Sequence, residues 1–347
     1  METLLREWAG ETVIVRYDHP TGAWIFIAIH STRLGPAAGG TRMKSYPDLQ
    51  AALQDAFRLA AGMSYKFAMA GMPFGGAKAV IAIPPDLDPQ SRGALLRRYG
   101  ALVHQVGGLF ITGPDVGTSS ADMDIIAETG APYIFARTSE AGGGGSTGPF
   151  TALGVFTGIQ VACEHLFEEA SLRGRRVLVQ GVGSVGSKLI ELLRAADAEV
   201  MFSEVDEDAI RRFRDEVGLK FVPAEAVFTT ECDILAPCAL GGLFTTNTIS
   251  RLKCRVVAGG ANNQLASPKD AESFRDRGIL YAPDYVINVG GAMAILGLEA
   301  QGWTQERAKK EVVESVRRAL RQVFEMAATQ GITTDAAARQ IAEERLS

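Results

Sequence analysis

The chain has 347 residues, with 35 lysines and arginines against 40 aspartates and glutamates, which gives a net charge of −5. This length predicts about two domains, and an apolar fraction of 47% is typical of a globular protein and too high for a disordered one. The mild acidity argues against a nucleic-acid binder, which usually carries a basic excess. Glycine is over-represented, with 38 residues where an average chain of this length has about 24.

The cysteines and histidines indicate neither a metal site nor a disulfide framework. No two of the four cysteines have CxxC spacing, and the four histidines form no ligand cluster. Charges interrupt the first residues, and no run of 18 apolar residues follows, so we expect neither a secretory signal nor a membrane span. These features predict a soluble enzyme of the reducing cytoplasm, with no metal, nucleic-acid or membrane partner.

The first third of the chain mixes predicted strands and helices. The β-branched and aromatic runs 12–17 and 24–29 flank a DHPTG turn and predict two strands. The run 74–83 predicts a buried strand, and helical spacing predicts helices over 47–59 and 91–106. Ser119 opens another predicted helix, with Asp122 three residues later in the pattern of a capping box.

The segment 139–149, SEAGGGGSTGP, is the clearest domain boundary, because four consecutive glycines cost too much backbone entropy inside a helix or strand. We place an inter-domain hinge near it. The predicted domains are 1–138 and 139–329, with a C-terminal helix in 330–347 packing back on the first.

Strands and helices alternate after this boundary. This alternation predicts an α/β domain in which helices cover both faces of a parallel sheet. Strands are predicted at 176–180, 199–204, 233–236, 255–258 and 279–281, and helices at 185–195, after Thr304 and at 335–345.

Residues 181–186 read GVGSVG between a predicted strand and a predicted helix, the context that a dinucleotide-binding turn requires. Gly181 permits a tight turn, Gly183 lets the backbone approach a pyrophosphate, and Gly186 lets helix and strand pack closely. The first helical amides, around Ser184 and Val185, suit phosphates. Glu204 ends the next strand, where a carboxylate binds ribose hydroxyls and repels a 2′-phosphate, so we predict NAD rather than NADP. The alternative is a purely structural glycine turn.

Two lysines lie in surroundings that are unusual for this residue. Lys66 follows GMSY and Lys78 follows FGGA, among apolar and glycine residues. A desolvated lysine near another cation loses its proton readily and can act as a general base, whereas the alternative is that both side chains reach the surface. Asp115, in the turn TGPDVG, could shuttle a proton or only cap its loop. Asn262 and Asn263 follow a predicted strand, where ligands bind parallel sheets or the chain simply turns.

Eight ordered motifs resemble the amino-acid dehydrogenase superfamily, and most closely its leucine, valine and phenylalanine dehydrogenases. The resemblance implies an N-terminal α/β substrate domain and a Rossmann-type NAD domain, with a cleft between them. The motifs are GPAAGGTRM (35–43), GMSYK (62–66), FGGAK (74–78), GPDVGTSSADMD (113–124), QGVGSVG (180–186), CDILAPCALGG (232–242), AGGANNQ (258–264) and YAPDYVINVGGA (281–292).

The resemblance also implies residue roles. Lys66 would bind the substrate α-carboxylate together with Asn262 and the backbone of Gly39 and Gly40. Lys78 would be the general base, and Asp115 would assist proton transfer at the amine. Hydride would leave Cα for the nicotinamide, and water activated by Lys78 would attack the resulting imine, releasing a 2-oxo acid and ammonia. Thr151 would contact the nicotinamide; the other residues implied for the cofactor are Val205, Ala236, Pro237, Cys238, Ala239, Asn263 and Asn288.

The resemblance bears on the substrate through the pocket positions. Glutamate dehydrogenases carry a lysine where this chain has Ala38, so no cation would pair a buried side-chain carboxylate. Compared with leucine-type members, Ala38, Gly113 and Ala292 are smaller, while Ile295 is slightly larger. Gly113 and Pro114 together are similar to the phenylalanine branch.

These positions predict phenylalanine as the substrate. The alternatives are a leucine, valine or tryptophan dehydrogenase of the same mechanism and, from another class, a non-catalytic NAD-binding regulator. Members of the superfamily commonly assemble through the N-terminal domain, so the resemblance also implies a homo-oligomer.

Overall fold

The computed structural model describes residues 2–347 and divides the chain into two compact units. The first unit comprises the chain up to Ser146 with Ile295–Thr304 and Ala342–Ser347. The second comprises Thr147–Ala294 and Gln305–Ile341. The first division falls inside the glycine-rich segment 139–149. Of the predicted returning helix, only its end belongs to the first unit.

The first unit is a five-stranded mixed sheet with helices on both faces. Its strand order is β1-β2-β4-β3-β5, in which β1–β2 and β2–β4 are antiparallel and β3 is parallel to both β4 and β5. The strands are β1 (Thr12–Asp18), β2 (Ala23–Ser31), β3 (Ala37–Lys44), β4 (Gly75–Ala82) and β5 (Phe110–Pro114). The helices are α1 (Glu2–Glu7), α2 (Leu49–Ala70), α3 (Pro89–Gln105) and α4 (Ser120–Gly130).

Burial on both faces holds this sheet. The apolar side of α2, including Leu53 and Phe57, packs with Val80 on one face, while Tyr99 of α3 and Ile126 of α4 belong to the core on the other. Each fully buried side chain of this kind contributes roughly 1.5–3 kcal/mol. All eight residues of β4 are buried, so both of its faces are covered.

Sequence and structure differ at several elements of the first unit, among them α1 and β5, which were not predicted. Helix α2 runs to Ala70, well beyond the predicted end at 59, so Lys66 lies on a helix. Strand β3 was not predicted, because the pair Gly39–Gly40 weakens strand propensity. The capping box at Ser119 is confirmed, since its hydroxyl accepts from the Asp122 amide and the Asp122 carboxylate accepts from the Ser119 amide at 2.8 Å.

The second unit contains a six-stranded parallel sheet in the order β11-β10-β9-β6-β7-β8. This order is that of a doubly wound dinucleotide-binding sheet, whose order reverses between β6 and β9. The strands are β6 (Arg176–Gln180), β7 (Glu199–Ser203), β8 (Lys220–Phe221), β9 (Ile234–Pro237), β10 (Val256–Val257) and β11 (Leu280–Tyr281). Its helices are α5 (Gly148–Phe167), α6 (Gly186–Ala195), α7 (Glu207–Arg211), α8 (Thr246–Arg251), α9 (Asp270–Asp276), α10 (Asp284–Ile287) and α12 (Gln305–Gln330). Two further helices, α11 (Gly290–Ala300) and α13 (Thr334–Leu346), begin in this unit and end in the first.

The predicted fold class, a two-domain α/β protein with a Rossmann-type domain, is confirmed. Helices α5 and α7 to α11 and the short strand β8 were not predicted. By length and composition alone α5 could cross a membrane, but 56% of its apolar window is buried, and it packs against α6 and α12. Such burial is typical of the core helix of a folded domain.

Candidate active site

Lys78 lies in the middle of β4 and is only 6% exposed. A lysine this buried requires a partner, because an unpaired charge in an apolar interior is strongly disfavoured. The partner is Asp115, whose Oδ2 lies 3.0 Å from Lys78 Nζ. The structure therefore joins two of the three predicted catalytic residues in one buried ion pair.

Asp115 follows the end of β5 in a turn that its own neighbours fix. Its backbone amide donates to the Thr118 hydroxyl at 2.9 Å, and that hydroxyl donates to the Thr41 carbonyl of β3 at 2.7 Å. Burial opposes ionisation of Asp115, but Lys78 and Arg42 outweigh it and hold the pKa of the carboxyl well below its usual range. Asp115 is thus a carboxylate near neutral pH.

Sequence reasoning did not identify Arg42, although it belongs to this site. Its Nε lies 2.9 Å from Asp115 Oδ2, and its Nη1 lies 2.9 Å from Asp55 Oδ2 on α2. Tyr46 donates its hydroxyl to the same Asp55 oxygen at 2.7 Å. Arg42 stands in the motif GPAAGGTRM, but its two partners are 13 and 73 residues away, so no local pattern signals the contact.

Gly39 and Gly40 bring β3 close to the ion pair. A Cβ on Gly39 would overlap the Ala77 carbonyl oxygen. A Cβ on Gly40 would lie 2.9 Å from Asp115 Cβ and 3.2 Å from Lys78 Nζ. Any larger residue at these positions would push β3 away from its neighbouring strands and from the side chains of Lys78 and Asp115.

Lys66, the third predicted catalytic residue, lies near the end of α2 and is half-buried. Helix α2 packs across β4, the strand that carries Lys78, so both lysines come from one pair of packed elements. Within this unit the sequence-predicted lysines therefore belong to neighbouring parts of the fold.

The predicted pocket residues have different surroundings. A Cβ on Gly113 would overlap the ring of Phe135, so the space that this glycine leaves is already filled by an aromatic side chain. Ala38 and Ile295 are fully buried, while Pro114 and Ala292 are half-buried. Phe135 therefore belongs to the surroundings of Gly113, and sequence reasoning missed it.

The glycine turn of the second unit has the build of a phosphate site. Gly181 has a φ of +89°, and a Cβ on Gly186 would overlap the Gly181 carbonyl oxygen, so the turn closes tightly on itself. A Cβ on Gly183 would instead have no atom within 4 Å. No side chain forms a capping hydrogen bond at the start of α6 at Val185, and Gly183 and Ser184 are exposed. This helix start fits the pyrophosphate of a dinucleotide.

Glu204 stands directly after β7 and is fixed by backbone amides. Its Oε2 accepts from the Val182 amide at 2.9 Å, and its Oε1 accepts from the Val205 amide at 2.7 Å. These bonds connect the carboxylate to the glycine turn. The residue lies at the strand end where a dinucleotide sheet presents an acid to the adenosine ribose.

The remaining predicted cofactor residues lie at the same edge of this sheet or on the helices beside it. Asn288 is buried; its amide donates to Asn262 Oδ1 at 2.9 Å and to the Gly260 carbonyl at 3.2 Å. Its own Oδ1 is buried with no hydrogen-bond partner among the described residues, which fits a site that receives a ligand donor. The backbone amide of Asn263 donates to Asp284 Oδ2 at 2.8 Å. Ala236 and Pro237 end β9, Cys238 and Ala239 follow it, and Thr151 lies in the first turn of α5.

Comparison with known proteins bears on both units. Residues 17–131 match the sequence model of the Glu/Leu/Phe/Val dehydrogenase dimerisation domain, and residues 198–347 match that of the Glutamate/Leucine/Phenylalanine/Valine dehydrogenases. The leucine dehydrogenase of Geobacillus stearothermophilus is 41% identical over 336 residues, covering 97% of this chain and 90% of the relative. The valine dehydrogenase of Streptomyces virginiae is 42% identical over 340 residues, covering 97% and 94%.

A solved structure is similar over the whole length. The L-tryptophan dehydrogenase from Nostoc punctiforme has a TM-score of 0.83 and 38% identity, covering 100% of this chain and 98% of that one. The fold and the ion pair, taken with these similarities, define an amino-acid dehydrogenase with a Rossmann-type domain. Within that class the chain belongs to the Glu/Leu/Phe/Val dehydrogenase family. The predicted resemblance is confirmed, whereas the predicted preference for phenylalanine is not.

Proposed function

We propose that this chain catalyses the NAD-dependent oxidative deamination of a branched-chain L-amino acid, leucine or valine, to the 2-oxo acid and ammonia. The observation that carries the proposal is the buried pair of Lys78 and Asp115, which supplies a base and a fixed carboxylate beside the close-packed backbone of Gly39 and Gly40. An inert NAD-binding regulator has no need to keep a lysine almost completely buried.

Two observations support an aliphatic rather than an aromatic substrate. Relatives of about 40% identity over nearly the whole chain are leucine and valine dehydrogenases. The Phe135 ring also occupies the room beside Gly113 that favoured a larger side chain. Ala38 leaves position 38 without a cation, which disfavours glutamate.

The residues of the first unit suggest how the chemistry proceeds. The ammonium group of Lys66 binds the α-carboxylate of the substrate. Lys78 accepts a proton from the water that attacks the imine and delivers it to the departing amine, and the Asp115 carboxylate, 3.0 Å from Lys78 Nζ, assists this proton transfer at the amine. Collapse of the carbinolamine then breaks the C–N bond and releases ammonia. Asn262 is proposed as a second ligand of the carboxylate.

NAD is the proposed cofactor, and when bound it would accept the hydride from the substrate Cα. The amides at the start of α6 and the open side of Gly183 would hold its pyrophosphate, and Glu204 would hold its adenosine ribose. The carboxylate of Glu204 would repel the 2′-phosphate of NADP. Thr151 and Asn288 are proposed on the nicotinamide side.

We also propose a cytoplasmic homo-oligomer. The four cysteines are all free, as is typical of a reducing compartment. The edge strand β1 exposes Val15 and Tyr17, and the matched family domain is described as a dimerisation domain. Light scattering on the purified chain would give the assembly size.

The test is initial-rate kinetics with L-leucine, L-valine, L-phenylalanine, L-tryptophan and L-glutamate, each with NAD and with NADP. We expect kcat/KM for leucine or valine to exceed that for either aromatic by about tenfold, since one methylene in an apolar pocket discriminates by roughly 1–3 kcal/mol. We expect activity with NAD to exceed that with NADP. A preference for phenylalanine or tryptophan would overturn the substrate assignment, and NAD binding without any oxidation would favour the regulator.

A further inference from the structure

Two cations share one oxygen of the catalytic carboxylate. Lys78 Nζ and Arg42 Nε lie 3.0 and 2.9 Å from Asp115 Oδ2, and all three side chains are largely buried. Opposite charges at this distance interact strongly when water is largely excluded. A lysine that is the only cation paired with such a carboxylate is stabilised as the ammonium ion, and an ammonium ion cannot act as a base.

Arg42 is itself held from the other side. Asp55 on α2 accepts from Arg42 at 2.9 Å, from Tyr46 at 2.7 Å and from Arg58 at 2.9 Å. Burial opposes ionisation of Asp55, but these partners outweigh it and lower the pKa of the carboxyl. Burial and the Asp55 carboxylate raise the pKa of Tyr46 well above its usual value, so the phenol stays neutral. The guanidinium is thus clamped between two carboxylates.

We propose that Arg42 is a positioning residue of the reaction, which fixes Asp115 and, by sharing its carboxylate, keeps Lys78 able to release its proton. This inference rests on the proposed function, since it assigns Arg42 a task only if Lys78 acts as the base. The guanidinium suits the task because it stays charged at every working pH and its fork can bind Asp115 and Asp55 together.

Other ionisable groups belong to the elements around the pair. Helix α2 contributes Asp55, Arg58 and Lys66, and the segment after β3 contributes Tyr46. Tyr99 of α3 lies behind β3, with its hydroxyl 2.6 Å from Thr41 Oγ1, and its burial raises the pKa so that it stays neutral. Arg42 and Lys78 are both paired directly with Asp115.

The decisive variant is Arg42→Met, which keeps much of the side-chain length and removes the charge. Both carboxylates retain a partner, Asp115 with Lys78 and Asp55 with Tyr46 and Arg58, so we expect the variant to fold. The acid limb of kcat/KM for the amino acid should move up by about one pH unit, because a neighbouring cation no longer opposes protonation of Lys78. We expect kcat to fall about tenfold, with KM for NAD unchanged, and Arg42→Lys to restore the limb.

Arg98→Met is the matched control, since Arg98 binds the buried Asp18 through Nε at 2.6 Å and Nη2 at 2.7 Å in the same unit. Arg98→Met should lower thermal stability without moving the acid limb of kcat/KM. Asp55→Asn provides a second, opposite test. Removing the Asp55 anion should move the acid limb of kcat/KM down by a fraction of a pH unit. This test can be made even if Arg42→Met fails to fold. Three results would overturn the proposal: an acid limb that does not move in folded Arg42→Met, an equal shift in Arg98→Met, or an upward shift in Asp55→Asn. Inactivity of the unsubstituted enzyme would instead reject the proposed function.

Discussion

The two units present their candidate sites in opposite ways. In the first unit the site consists of charged side chains, Lys78, Asp115 and Arg42, buried between strands and paired within 3.0 Å. In the second it consists mainly of backbone, a turn from Gly181 to Gly186 with no side-chain cap at the start of α6. Glu204 is a charged side chain of this second site, and backbone amides hold it.

This difference is the one that the functions proposed for the two sites require. A proton transfer needs groups whose ionisation is set by burial and by neighbouring charges, so its residues must be enclosed. A pyrophosphate needs several N–H donors and close approach, which glycine and a helix start provide without side chains. The first site should therefore respond to changes of charge, and the second to changes of volume.

The largest expected effect comes from Lys78→Ala. Turnover should fall by about 10³-fold or more, because general base catalysis typically contributes 10²–10⁴-fold. NAD affinity should change little, because the glycine turn belongs to the other unit. Stopped-flow kinetics for turnover and calorimetry for NAD binding would measure the two effects separately.

The variant Lys78→Arg separates the effect of the positive charge at this position from the effect of a base. It preserves a cation beside Asp115, but a guanidinium does not lose its proton at working pH. We expect the variant to be as inactive as Lys78→Ala, and turnover within tenfold of the unsubstituted enzyme would exclude Lys78 as the base.

The two sites also differ in how far the sequence reveals them. The glycine turn is contiguous, so GVGSVG was enough to predict a turn between a strand and a helix, and the predicted strands of the second sheet correspond to β6, β7, β9, β10 and β11. The ion-pair network joins residues up to 73 positions apart, and Arg42 and Asp55 have no local signature. Strand β3 escaped prediction because its glycines serve a tertiary close approach, and Phe135 because only the fold brings its ring to Gly113.

Low pH should lower the stability of the first unit by protonating Asp115, and the variant Asp115→Asn measures the size of this effect. The pKa of Asp115 is lower in the folded chain than the value of about 3.9 expected on unfolding, so its stabilisation is complete above that value and is lost as the pH falls towards the folded pKa. Asp115→Asn should cost about 3 kcal/mol at neutral pH, because it leaves two buried cations without their carboxylate. Below about pH 4 the difference from the unsubstituted chain should shrink by about 1.4 kcal/mol per pH unit.

Denaturant unfolding at a series of pH values would measure this difference. Asp86→Asn is the control, since Asp86 is exposed in the same unit, and its substitution should leave the curve unchanged. A difference between Asp115→Asn and the unsubstituted chain that stays constant from pH 7 to pH 3 would contradict the assigned ionisation of Asp115.

The smallest effect should come from a single methyl group in the glycine turn, and two glycines three residues apart should respond differently. Gly186→Ala places a Cβ onto the Gly181 carbonyl oxygen and 3.4 Å from Cys238 Cβ, so α6 must shift, which should cost about 1–3 kcal/mol of stability. Gly183→Ala meets no atom within 4 Å, so its melting temperature should stay unchanged. NAD affinity should nevertheless fall about tenfold, because the methyl group occupies the side from which the pyrophosphate approaches.

Thermal unfolding without ligand and calorimetric titration with NAD distinguish the two variants. ADP-ribose, which keeps the pyrophosphate and both riboses, should show the same loss on Gly183→Ala as NAD, whereas adenosine should bind equally to both proteins. If Gly183→Ala binds NAD normally, the pyrophosphate does not contact this turn. In that case the contrast would fail for the second unit, because its backbone turn would not be the binding site, and only the charged site of the first unit would remain.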